Sequence, residues 1–194
     1  MAYPQGIRAY FRRSSLLRSN LYVLDAGCGT GVVTLALREA LLSRGFQPGL
    51  VQGFDLTPKM LDKFRETLRT QAIEGVNIVQ ADALQLDTLA EGWNNFDLIV
   101  SAAMMEYLPQ ERLVEALSGL RLRLNKTGSL LLFITRQNWL MRLLVGHWWG
   151  ANLYQATELE ESLRLAGFTT IEFETFPFPY QHLSLWGHIV EAKQ

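Results

Sequence analysis

Val23-Leu24-Asp25-Ala26-Gly27-Cys28-Gly29-Thr30-Gly31 decides how the rest of this chain is read. A short run suited to a buried strand enters a turn with glycine at alternate positions, and an apolar helical pattern starts directly behind it. Residues without a Cβ reach dihedrals closed to others and let a ligand approach main-chain atoms. The spacing matches neither of two familiar phosphate seats. A dinucleotide fingerprint needs G-x-G-x-x-G, and Val32 stands where its third glycine belongs. No Gly-Lys-Ser/Thr follows, so a phosphate loop is absent as well.

Working outward, the pattern alternates strand and helix. A weakly amphipathic stretch, 5–19, precedes a first strand at 21–26, and a helix over 31–44 carries Val33, Ala36, Leu37, Ala40 and Leu41 inward until Gly45 stops it. A strand at 50–55 leads to Thr57 as N-cap and Pro58 in the first helical turn, with Met60, Leu61, Phe64, Leu68 and Ala72 facing inward behind them. Strands follow at 76–81, 96–102 and 128–134, with a helix opened by Pro109 before the last of these. Thr157 and Glu160 form a capping box for a helix ending at Gly167, and 171–176 and 183–191 read as a closing antiparallel pair. The expectation is an α/β fold: a seven-stranded, mostly parallel sheet with an antiparallel last strand and helices on both faces. Ligands of such sheets bind beyond the carboxyl ends of the strands, where the glycine turn lies.

The chain has 194 residues, 48% of them hydrophobic, which fits a single domain over 1–194. Eighteen basic against nineteen acidic residues leave no overall field to attract nucleic acid. The one cysteine, Cys28, has no internal disulfide partner and points to a cytoplasmic setting. Arg8, Arg12, Arg13 and Arg18 read as a basic N-terminal helix rather than a transit peptide, because the first strand begins close behind them. No apolar run is long enough for a transmembrane segment.

Asp55 closes the second strand beside the first, where an acid accepts hydrogen bonds from a ribose diol or, alternatively, caps the next helix. With Asp25 before Gly27, Gly29 and Gly31, the turn resembles the first motif, D-x-G-x-G-x-G, of class I S-adenosylmethionine-dependent methyltransferases. The resemblance runs from 21 to 135 and implies S-adenosylmethionine as cofactor, with S-adenosylhomocysteine as product. It implies cofactor contacts from Asp25, Ala26, Gly27, Gly29, Gly31, Asp55 and Leu56. It also implies that Asp82 meets the adenine amino group and the Ala83 amide a ring nitrogen. Phe96-Asp97-Leu98-Ile99-Val100-Ser101 is similar to the family's fourth-strand signature, which brings Ser101 beside the methyl donor, although Asp97 also reads as a residue that only starts the strand. Ser101-Ala102-Ala103-Met104 stands where many enzymes acting on nucleic-acid or protein nitrogens have Asn/Asp-Pro-Pro-Tyr, so the implied acceptor is a small, partly apolar molecule.

Transfer from a sulfonium is an in-line displacement, driven largely by holding the reactants together. A base is required only where the acceptor must lose a proton, and Glu106, Tyr107, His147 and Tyr154 are the polar candidates. The segment 137–155 is the expected acceptor-side insertion. Trp139, Leu140, Leu143, Leu144, His147 and Trp148 share one face if it is helical, and that face either packs on the sheet, covers the acceptor or meets a membrane surface peripherally. Arg136 and Arg142 are candidates to steer an anionic group. Two rival readings are a non-catalytic binding protein that keeps the fold, and a nicotinamide-dependent oxidoreductase, against which Val32 counts.

Overall fold

The computed structural model describes residues 2–136 and 152–194. The tryptophan-bearing face, His147 and Arg142 lie outside them. Among the described residues, α-helices alternate with strands: α1 (Tyr3–Arg13), β1 (Val23–Ala26), α2 (Val32–Ser43), β2 (Val51–Asp55), α3 (Pro58–Thr70), β3 (Val76–Gln80), β4 (Phe96–Ala102), α4 (Leu113–Arg121), β5 (Leu124–Thr135), α5 (Ala156–Leu165), β6 (Thr170–Glu174) and β7 (Gly187–Lys193). The strands form one sheet in the order β3-β2-β1-β4-β5-β7-β6. The β1–β5 pairs are parallel, and β7 lies antiparallel between β5 and β6, as expected for the fold class.

Each face of the sheet is covered because the strands are apolar on both. Leu24, Ala26, Ile99, Leu130 and Leu132 pack under α4 and α5, while Val23, Val51, Leu98, Val100 and Leu131 pack under α1 and α2. Burial of these side chains is the main favourable contribution to the fold, at about 1.5–3 kcal/mol for each large one. α1 is pinned by aromatic contacts, with Tyr10 5.6 Å and Phe11 5.9 Å from the Phe133 ring of β5.

Several local expectations are corrected. α1 ends at Arg13 because Ser14 turns extended, with ψ 134°. Thr57 holds the N-cap position of α3 without a side-chain bond. Met60 is exposed and Ala72 sits with φ 48° in the turn beyond the helix, so Leu61 and Phe64 fill the buried stripe, with Leu68 partly buried against them. The cap of α5 is Gln155, whose N–H donates to Glu158 at 3.0 Å, and not Thr157. Residues 181–185 form a short 3-10 turn that takes up the start of the strand expected from 183, because the chain folds back for the Phe176 N–H to donate to Ser184 Oγ at 2.9 Å.

Candidate functional site

The glycine turn is fixed from below. The Gly27 and Cys28 amides both donate to the Phe54 carbonyl at 2.9 Å, which ties the turn to the end of β2. All three glycines have positive φ, at 76°, 50° and 87° for Gly27, Gly29 and Gly31, but their surroundings differ. A Cβ on Gly27 would fall 2.6 Å from Met104 Cβ, and one on Gly31 would strike the Phe64 ring. At Gly29 the nearest atom would be Asp55 Oδ2, 3.9 Å away. Gly29 alone of the three faces open space.

That space is a cavity of about 670 Å³ at the carboxyl ends of the strands. Gly27, Gly29, Asp55, Leu56, Asp82 and Ala83 all line it, so six expected cofactor residues from three separate loops meet there. Asp55 holds the loops together, since Oδ2 accepts from the Gly29 N–H at 2.9 Å and Oδ1 from the Thr57 N–H at 2.8 Å. Asp55 thus faces the cavity, and on its other side it bonds the amide of Thr57, the residue just before α3, rather than an amide within the helix. Asp82 accepts from the Leu84 N–H at 2.9 Å and likewise faces the cavity.

Four expected residues are not on its lining. Asp25 is buried on the α2 face, where Oδ2 accepts from the Thr34 N–H at 3.1 Å and hydroxyl at 2.6 Å. Its Oδ1 is buried without a partner, and burial pushes the carboxyl up to about 6 despite the Thr34 bonds. Ala26 packs into the core under α4, Gly31 supports Phe64, and the buried Ser101 Oγ has no partner. These residues frame the site. Cys28 does line the cavity, and burial, followed by the charges of Asp25 and Asp55, pushes its thiol well above the usual range.

The base candidates separate in the same way. Tyr107 lines the cavity and is exposed. Glu106 is buried behind it, with Oε1 accepting from the Thr135 N–H and hydroxyl, both at 2.8 Å, and Oε2 left without a partner. Burial raises its carboxyl above the ordinary range. Tyr154 is buried too, its phenol pushed up to about 12 by burial and then by the charge of Glu106. Arg136 bridges Tyr154 and is not among the lining residues. Asp97 works at the far end of the strands, bonded to Arg18 at 2.8 Å, the Tyr22 amide at 2.9 Å and Asn125 at 2.8 Å.

The sequence reading missed a whole wall. Tyr3, Pro4 and Ile7 of α1 line the cavity, as do Met60, Met104 and Leu108. Pro4 was a signal for a helix start nearer the N-terminus, but the apolar stripe of α1 does not say what it covers. Ala103, just beyond β4, has φ 54°, a strained conformation of the kind that clusters at ligand sites.

A family model described as a methyltransferase domain matches residues 23–128, more than half of the chain. Among curated relatives, the carboxy-S-adenosyl-L-methionine synthase of Chromohalobacter salexigens is 32% identical over 117 residues, covering 60% of this chain and 40% of that protein. The demethylmenaquinone methyltransferase of Staphylococcus aureus is 37% identical over 70 residues, covering 36% and 27%. The chain therefore spans less than half the length of either relative. Similar solved structures include PigF with S-adenosylhomocysteine, at TM-score 0.78 and 19% identity over 100% of this chain and 56% of that one. Another is the magnesium protoporphyrin IX methyltransferase of Synechocystis PCC 6803, at TM-score 0.72 and 18% identity over 100% and 84%. At such identities the likeness is one of fold. Because that family model matches more than half of the chain, the chain belongs to the methyltransferase domain family.

Proposed function

We propose that the protein binds S-adenosylmethionine and methylates a small molecule. The observation that carries this is the meeting of Asp55 and Asp82 on one cavity that opens over Gly29. Asp55 would hold the ribose, Asp82 and the Ala83 amide the adenine edge, and Leu56 an adenine face. Gly29 would leave the main chain open to the amino-acid tail, with Gly27 beside it on the lining and Asp25, Ala26, Gly31 and Ser101 setting the frame behind. The residues present fit such a group: the volume is within the range of about 300–1,000 Å³ usual for ligand sites, and the acids match hydroxyl and amino donors. When bound, S-adenosylmethionine supplies an electrophilic methyl group on a sulfonium. The chain's own contribution is to hold both reactants in place.

The whole chain is read as one domain in a cytoplasmic setting, with a small molecule rather than nucleic acid as partner; the buried free thiol of Cys28 and the near-balanced charge support this. Among the described residues no helix is long and apolar enough to cross a membrane. The 137–155 segment is proposed as the acceptor-side element, because Thr135 just before it and Asn152 near its end are tied beside the cavity rim: Thr135 bonds Glu106, and Asn152 bonds the Glu106 and Leu108 carbonyls at 2.7 and 2.6 Å. A second reading, synthesis of a carboxylated donor, has the name of the Chromohalobacter relative in its favour, a protein matched over 40% of its length.

Calorimetric titration with S-adenosylhomocysteine tests the proposal. Saturable one-to-one binding is expected, and Asp55→Ala and Asp82→Ala should each weaken it by about tenfold to a hundredfold, the worth of a hydrogen bond to a charged group. A folded protein that binds neither the product nor S-adenosylmethionine contradicts it. Turnover against an acceptor panel then separates an enzyme from a binding protein.

A further inference from the structure

The cavity has two unlike halves. Strand order places the ends of β3, β2 and β1 side by side, and these supply Asp82, Asp55 and Gly29. Beyond β1 the wall comes from the end of β4 and from α1, which α2 and Phe133 hold against that side of the sheet. This second half consists of Tyr3, Pro4, Ile7, Met104, Tyr107 and Leu108. It runs from an exposed rim at Tyr107 to a floor at the fully buried Ile7. Leu56, Met60 and Val32, all more than 40% exposed, continue the apolar rim around the mouth. Exposed apolar side chains gathered about one opening mark a surface that a ligand covers.

The chemistry of the two halves selects an acceptor. An anionic group entering the α1–β4 half would lose its hydration against described side chains that are all uncharged at neutral pH. An apolar body loses nothing there and buries its surface against Ile7, Met104 and Leu108. Resting on the reading that the opposite half takes S-adenosylmethionine, we infer that the α1–β4 half binds an apolar acceptor that carries no anionic group. Ile7 and Leu108 receive its body, and the Tyr3 and Tyr107 phenols offer hydrogen bonds to its polar end. In the transfer, the acceptor's nucleophilic atom bonds the methyl carbon with its own lone pair. The carbon–sulfur bond breaks with its electron pair kept by sulfur, and any proton the acceptor carried passes to water.

A matched pair of probes tests this on the full chain saturated with S-adenosylhomocysteine. Uncharged 1-naphthol and anionic 1-naphthoate are titrated into protein with ¹³C-labelled isoleucine and leucine methyl groups. 1-Naphthol is expected to shift the Ile7 and Leu108 methyl resonances and to bind at least about tenfold more tightly than 1-naphthoate. Tyr107→Lys, at an exposed position that tolerates replacement, places a cation on the wall and is expected to shrink that preference by about fivefold or more. Equal or tighter binding of 1-naphthoate, binding of neither probe, or shifts confined to other methyl groups would overturn the inference while leaving the cofactor reading intact. A protein that S-adenosylhomocysteine itself fails to saturate would instead strike the cofactor reading.

Discussion

Three glycines spaced by two share a motif but have separate surroundings. Gly27 makes room for Met104, Gly31 for Phe64, and Gly29 borders the open cavity. Gly31→Ala should therefore destabilise the protein by about 2–4 kcal/mol, since a Cβ there meets a packed ring at a left-handed backbone position. Gly29→Ala should cost only about 1–2 kcal/mol for the backbone, yet reduce S-adenosylhomocysteine affinity by at least about tenfold. Denaturant titration beside calorimetry separates the two effects, and equal losses of stability would contradict the assignment. The positive φ at all three positions was legible because such a backbone at alternate residues leaves glycines in the sequence. The motif did not reveal that Asp25 turns to Thr34, because the partner lies on the next helix and no spacing rule pairs them.

At the scale of elements, strand and helix order was legible because period-two and period-3.6 patterns report burial directly. What each buried face meets is not written in a period. α1 is the case in point: Ile7, Tyr10 and Phe11 announce a covered stripe, yet only the structure shows it set against Phe133 with its first turn on the cavity. Phe11→Ala, which removes a fully buried ring at that contact, should cost about 3–5 kcal/mol in a thermal or denaturant transition. A loss below about 1 kcal/mol would mean that α1 is not held as described. The turn at 181–185 misled for a related reason, since Leu183 and Leu185 alternate like strand residues while a side-chain bond from Ser184 folds the chain back.

For the whole molecule, the site is assembled from positions 3 to 108, and the sheet order β3-β2-β1-β4 is what brings them together. That order also leaves an acid buried at its centre. The Asp25 carboxyl rises from 3.8 to about 6 on folding, so the folded state holds that proton more tightly. Its contribution to stability is present below about pH 4 and is lost as pH climbs to about 6, leaving a cost on the order of 3 kcal/mol at neutral pH. Asp25→Asn keeps an oxygen to accept the Thr34 bonds and carries no charge. It should flatten the pH dependence of stability between about pH 4 and 6 and be more stable than the parent at pH 7.5, by about 1–3 kcal/mol. Denaturation across that range checks the slope, and an unchanged profile would contradict it.

A crystal structure of the protein soaked with S-adenosylhomocysteine tests the central claim most directly. The account predicts ribose hydroxyls on Asp55, the adenine edge at Asp82 and Ala83, and the amino-acid tail passing over Gly29. Density for the ligand anywhere else, or a cavity that refuses it while Asp55 stays bonded to Gly29 and Thr57, would contradict the account.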